Sequence, residues 1–142
     1  MNMYLIDTVA VSEAVKSRQN EGYMNWLSNC DDSQLYLSCL TIGEINKGAY
    51  LTNDKVLRNK LENYLQGLYE AFTRRILDVS IEDASLWGQL LAQAQKKGES
   101  APQVDALIAA QCINRKMILV TRNIKHFEQF GNLQVFCPWS DD

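Results

Sequence analysis

Asp7, Glu44 and Asp105 lie far apart in the chain, each at a place where a carboxylate could do chemistry. Asp7 closes the apolar run Tyr4-Leu5-Ile6 and precedes Thr8-Val9-Ala10-Val11, which puts it at the carboxyl end of a strand. Ligands of open α/β sheets bind along that edge. The competing explanation is a helix cap, since aspartate before a helix serves there as well. Asp105 lies among Val104, Leu107, Ile108, Ala109, Ala110, Cys112 and Ile113. With about 100° of rotation per residue it shares a side with Ile108, Ala109 and Cys112 and points inward. A carboxylate turned inward costs several kcal/mol unless something pairs with it or coordinates it. A first-turn acid favoured by the helix dipole is the alternative. Glu44 lies away from the apolar face of Ile42, Ile45 and Ala49, as an exposed first-turn glutamate does. Gly43 and Gly48 beside it are costly in a helix and suggest close approach of a backbone or a ligand. A fourth polar site, Thr121-Arg122-Asn123, follows Val120 at another strand end, where Thr121 or Asn123 could equally cap a helix.

Converging at one edge of a sheet, three carboxylates without an internal cation repel and raise one another's pKa. A hard divalent ion, Mg²⁺ or Mn²⁺, relieves that repulsion with the oxygen ligands it prefers. Such an ion can activate water and offset the charge of a phosphodiester. Metal-assisted phosphodiester hydrolysis is the chemistry this set suits best.

The elements that must position these residues follow from apolar runs and turn residues. Strands are expected at Met3–Ile6, Gln34–Ser38, Ile76–Val79, Met117–Val120 and Leu133–Phe136. Helices are expected over about 9–17, 21–30, 41–51 with Thr41 as cap, and from Asn53 or Asp54 onward, where Leu57, Leu61, Tyr64, Leu65, Leu68 and Phe72 make one apolar stripe. Ser80-Ile-Glu-Asp83 has the form of a capping box and opens a helix ending near Gly98. Pro102 suits the first turn of a helix running to about Arg115, and a short helix covers about 123–129. Strands separated by helices, without hairpin turns, predict an α/β fold: a three-layer α/β/α sandwich around a mostly parallel sheet of about five strands.

The 142 residues carry 14 Lys+Arg against 17 Asp+Glu, a net charge of −3, which excludes a uniformly basic nucleic-acid coat but not a local basic rim. A hydrophobic fraction of 46%, with two prolines and seven glycines, fits one globular domain over residues 1–142 with no linker. Cys30, Cys39, Cys112 and Cys137 form no CxxC pair, which disfavours a cysteine zinc site. The start lacks the basic region of a signal peptide, and no segment has the roughly 20 apolar residues of a membrane span. A cytoplasmic protein is expected.

The same residues form ordered motifs. Met3-Tyr-Leu-Ile-Asp7-Thr8 with Val11-Ser-Glu13 resembles the opening of PIN-domain proteins, L-D-T-N-x-x-S-E. Leu40-Thr-Ile-Gly-Glu44-Ile-Asn-Lys-Gly48 is similar to their T-x-x-E-(I/L)-x-x-G segment, and Gln103-Val-Asp105-Ala-Leu-Ile-Ala-Ala110 to their D-x-x-I-A-A helix. Leu119-Val-Thr-Arg-Asn123-Ile-Lys-His-Phe127 resembles V-T-R-(N/D)-x-x-x-F, and Val135-Phe-Cys-Pro-Trp139 the N-P-W finish of the FitB and VapC branch. The resemblance spans the chain in order. It implies a Mg²⁺-dependent ribonuclease, the toxin of a type II toxin–antitoxin pair. Its partners would be a cognate antitoxin (a small DNA-binding protein), a second copy of the chain, and structured RNA such as tRNA or ribosomal RNA. Carried over by position, Asp7 and Asp105 are the principal metal ligands and Glu44 completes the acidic cluster, directly or through water. Asn123 stands where many members have a fourth acid, and Thr121 orients a carboxylate by hydrogen bonding. Val9 departs from the family's usual asparagine, and Asn123 leaves three carboxylates rather than four.

Arg122 and Lys125 border the proposed edge and are the expected contacts to RNA phosphate. His126, the only histidine, is read as incidental, and Trp26, Trp87 and Trp139 as core. Two other functions compete: a PIN scaffold that binds RNA or protein without cutting, and a phosphoacceptor receiver-like signalling domain. The second is disfavoured because Asp7 has no adjacent acid and Cys137-Pro-Trp follows the last strand.

Overall fold

Alternation along the short strands decides the architecture. Leu5 and Leu119 face one core, while Ile6 and Val120, the next residue of each strand, face the other. Period-two burial on both faces requires a layer of helices on each side. The computed structural model describes residues 1–13 and 16–140.

Strands β1 (Tyr4–Ile6), β2 (Leu35–Ser38), β3 (Ile76–Leu77), β4 (Ile118–Val120) and β5 (Gln134–Phe136) form one sheet in the order β3-β2-β1-β4-β5. Every neighbouring pair is parallel. Helices α1 (Thr8–Ser12), α2 (Glu21–Ser28), α3 (Cys39–Leu51) and α4 (Lys55–Ala71) supply Ala10, Val11, Tyr23, Ile45, Leu65 and Leu68 to the core on the Ile6 face. Helices α5 (Ile81–Lys96), α6 (Gln103–Arg115) and α7 (Ile124–Phe127) cover the Leu5 face with Leu90, Ile108, Ala109, Cys112 and Phe127. The three-layer sandwich is the expected one, with a sheet that is wholly rather than mostly parallel.

Several boundaries move, each for a local reason. Ser38, not Thr41, caps α3 by accepting from the Leu40 N–H, so the helix starts at Cys39 and Thr41 is buried inside it. The helix expected over 9–17 ends at Ser12 in α1, and residues 14 and 15 of that span lie outside the described residues. β3 is two residues long and α7 four. Leu57 of the expected stripe is exposed, while Leu65 and Leu68 are buried.

The caps that read clearly in sequence form as expected. Asp54 caps α4 through the Val56 and Leu57 N–H groups, and Ser80 and Asp83 form a reciprocal capping box on α5. The α5–α6 contact also holds a polar tie. The buried Asp83 carboxylate accepts from both terminal nitrogens of Arg115, at 2.8 and 2.9 Å, and from Asn114 at 2.9 Å. Buried Gln111 of α6 donates to the Asp78 carbonyl and accepts from Ser38, fixing α6 against the ends of β2 and β3. These anchors set where Asp105, two turns earlier on α6, reaches the edge of the sheet.

Candidate active site

The chain builds the sheet outward in one direction from β1 to β3 and then returns to place β4 on the other side of β1. The sheet's switch point is therefore the crevice between the carboxyl ends of β1 and β4, where open α/β sheets bind ligands. Asp7 follows β1 and Thr121 follows β4, and the Asp7 N–H donates to the Val120 carbonyl at 3.1 Å. The receiver-like alternative requires the order 2-1-3-4-5, which this sheet does not have.

Asp7 is only 5% exposed. Its Oδ1 accepts from the Ala10 N–H at 2.8 Å, so it caps α1, and it also accepts from the Thr121 hydroxyl. Cap and site residue are here the same residue. Burial pushes its carboxyl up to about 6, against the pull of those two hydrogen bonds, and repulsion from Asp105 and Glu44 adds to the rise. Asp7 thus feels an acid 98 positions further along the chain, and the Thr8–Glu44 hydrogen bond brings Glu44 against the residue next to it. The Thr121 Oγ1 accepts from the Asn123 N–H at 3.0 Å, which leaves its proton for Asp7. Asn123 itself is half-buried at the start of α7 and makes no side-chain cap.

Glu44 is exposed on α3, and its Oε1 accepts from the Thr8 hydroxyl at 2.5 Å. Thr8 Oγ1 also lies 3.2 Å from the Thr41 Oγ1; having one proton, Thr8 donates to Glu44 and accepts from Thr41. Asp105, its side chain 26% exposed, has Oδ2 3.5 Å from Nδ1 of His126. Burial raises its carboxyl, Glu44 raises it further, and His126 opposes both. His126 therefore faces the cluster rather than standing apart from it.

Thr8 is not singled out by the sequence, and His126, read there as incidental, instead meets Asp105. Thr8 follows the strand-end aspartate directly, and His126 sits in the first turn after Asn123; those positions were the available signals. Gly43 and Gly48 go the other way. A Cβ at either would meet nothing within 4 Å, so neither marks a close approach. Val9, in the place of the family's asparagine, is an exposed residue of α1. Arg122 and Lys125 line different clefts. Arg122 lines a cleft with Lys16 and Arg18, and Lys125 a shallower one with Glu99, Ser100, Glu128 and Gln129.

The donor set fits a hard cation in its chemistry, being carboxylate oxygens that repel one another in a partly desolvated crevice. Among the described residues, however, no three His, Cys, Asp or Glu side chains already stand as a metal site. Two of the three acids have other partners, Thr8 and His126. Asp105 would turn from His126 to meet an ion beside Asp7, while Glu44, held at Oε1 by Thr8, would face it with Oε2, directly or through water.

The chain is 32% identical over 143 residues to Toxin FitB of Neisseria gonorrhoeae, covering 98% of this chain and 100% of the relative. It is 28% identical to the VapC ribonuclease Y4jK of Sinorhizobium fredii, over 96% of this chain and 98% of that one. Its fold matches a solved structure of FitAB bound to an IR36 DNA fragment with a TM-score of 0.86 and 29% identity, over 99% of this chain and 98% of the other. The PIN domain model matches residues 4–133, from β1 to the residue before β5. By that match, and by its identity to FitB over nearly its whole length, the chain belongs to the PIN-domain family.

Proposed function

We propose that the protein is a metal-dependent endoribonuclease, the toxin of a type II toxin–antitoxin pair. The observation that carries this reading is the convergence of Asp7, Glu44 and Asp105 at the switch point of the sheet. A ribonuclease, a toxin and a FitAB assembly on DNA among its relatives support the activity and a cognate antitoxin, a small DNA-binding protein, as partner. Structured RNA is the proposed substrate, the cytoplasm the place of action, and a homodimer the working form. No described helix is long and apolar enough to cross a membrane.

Asp7 and Asp105 are the proposed principal ligands, with Glu44 completing the set. Held there, Mg²⁺ or Mn²⁺ would supply positive charge against the phosphodiester and a more acidic water. Thr121 and the Ala10 N–H hold the Asp7 carboxylate in one orientation, so it need not reorganise as charge develops. Glu44, with Oε1 engaged by Thr8, has Oε2 to orient the water and accept its proton. Asn123 offers an amide at the rim of the crevice where a fourth acid would add charge. A PIN scaffold that binds without cutting is the second reading, and the engagement of Glu44 and Asp105 by Thr8 and His126 favours it.

Asp7→Asn and Asp105→Asn separate the two. Each is expected to lower RNA cleavage at least a hundredfold while the far-ultraviolet dichroism and RNA affinity remain. RNA bound but left intact by the unaltered protein and by both variants would put the scaffold reading in its place.

A further inference from the structure

We infer that the cleft beside α1 is a phosphate-binding subsite, in which Lys16, Arg18 and Arg122 take the RNA backbone next to the bond being cut; this rests on the ribonuclease reading above. The cleft measures about 640 Å³ and is lined by Glu13, Lys16, Arg18, Gln19, Asn20, Glu21, Arg122 and Ser140. Among the described residues, three cations there face two carboxylates. One of those carboxylates, Glu13, is itself 2% exposed and fully engaged: it accepts from the Trp139 indole N–H at 2.7 Å and faces Lys16 at 3.5 Å. Glu13 acts as an anchor that holds Lys16 at the mouth of the cleft, with its side chain 47% exposed. Lys16, Arg18 and Arg122 are all exposed.

The cleft is tied to the acidic site through both of its walls. Arg122 is the residue after Thr121, which donates to Asp7. Glu13 ends the helix that Asp7 begins. Six residue steps at about 1.5 Å each put roughly 9 Å between those ends. A strand of RNA that crosses three mutually repelling carboxylates needs compensating cations on the flank it follows. The other flank offers less: Lys125 shares its cleft with Glu99 and Glu128, one cation against two acids. The C-terminal segment fixes the chosen flank. Trp139 stacks on Tyr23 with ring centroids 4.5 Å apart, and Ser140 exchanges hydrogen bonds with Asn20 at 3.0 and 3.1 Å.

Phosphate contacts are independent of base sequence, so bulk bacterial tRNA labelled at its 3′ end is a sufficient probe. Binding is measured by fluorescence anisotropy across a salt series, on the Asp105→Asn background so that the RNA stays whole. The double variant Lys16→Ala/Arg18→Ala is expected to weaken binding about tenfold or more. It should also flatten the dependence of log K on log salt by about 1.4 to 1.8, the contribution of two phosphate contacts. Arg18→Ala alone, at a position with no structural bond to Glu13, should give about half that change in slope. Lys116→Asn removes a charge at the opposite edge of the sheet, where asparagine tolerates the left-handed backbone (φ 55°), and should change neither quantity. Unchanged affinity and slope in Arg18→Ala and in the double variant overturns the subsite, and so does an equal effect from Lys116→Asn. If in addition Asp105→Asn abolishes cleavage, the ribonuclease reading stands without the subsite; if the unaltered protein neither binds nor cuts RNA, both fall.

Discussion

Asp7 does three things at once: it caps α1, accepts from Thr121, and carries a negative charge into a buried crevice shared with two other acids. The first two favour an acceptor of either charge, and only the third needs an ionised carboxylate. Its pKa of about 6 has two consequences of opposite sign. Mn²⁺ affinity should rise with pH through about 6, because proton and cation compete for Asp7; calorimetric Mn²⁺ titrations on either side of that pH check this. Stability of the metal-free protein runs the other way. A carboxyl raised in the folded state contributes stability that is full below its unfolded value near 4 and lost as pH climbs through 6. Asp7→Asn keeps the cap, and the Thr121 hydroxyl can turn to suit an amide. The variant should therefore be more stable than the unaltered protein at pH 8, by about 1–3 kcal/mol, with the gain vanishing near pH 4. Thermal melts at the two pH values decide it. Thr8→Val should lower Mn²⁺ affinity about tenfold by releasing Glu44, as measured calorimetrically, with Thr8→Ser restoring it.

At the scale of elements, the sandwich depends on polar ties as much as on apolar faces. Burial raises the Asp83 carboxyl, but the hydrogen bonds from Arg115, the Ser80 N–H and Asn114 override it and hold the group well below the usual range. Arg115→Met leaves a buried acid without its cation and should cost about 3–5 kcal/mol in urea unfolding at pH 7. The penalty should shrink as pH falls below about 4, where Asp83 in the unfolded chain takes up its proton. Gly22 makes a different kind of tie. A Cβ there would lie 2.6 Å from the Ser140 nitrogen and 2.7 Å from the Pro138 carbonyl, so Gly22→Ala should displace the C-terminal segment and quench less of the Trp139 fluorescence against Tyr23. These elements were legible in sequence to different degrees. The Ser80–Asp83 capping box and the helix ends near Gly98 and Arg115 depend on adjacent residues and are readable in sequence. The start of α3 does not read so well: Ser38 and Thr41 are both good caps, and only the Thr8 and Gln111 contacts, distant in sequence, decide between them. Nothing near Gly22 in the chain announces the tail that crosses it.

For the whole molecule, the order of strands is what turns scattered acids into a site. Apolar runs predict five strands, but neighbours are chosen by the crossover helices, and the return of β4 to the flank of β1 is invisible in any one segment. Asp7 and Thr121 were legible as strand-end residues; their mutual contact depends on that return. Likewise the apolar surroundings of Asp105 point it inward, while the imidazole that meets it arrives from α7. Net charge is the other global property. A chain at −3 gains RNA affinity only from local cations, which makes the distribution of Lys16, Arg18 and Arg122 matter more than their number. The central claim, that the convergent acids make a metal-dependent ribonuclease, is tested most directly by cleavage. Purified protein freed of any antitoxin is incubated with total bacterial RNA and Mg²⁺ or Mn²⁺, beside EDTA and Asp105→Asn controls. Discrete fragments that require the metal and are absent from both controls are the predicted result. Intact RNA with folded, metal-supplied protein, or fragments that persist in EDTA or with Asp105→Asn, would contradict it.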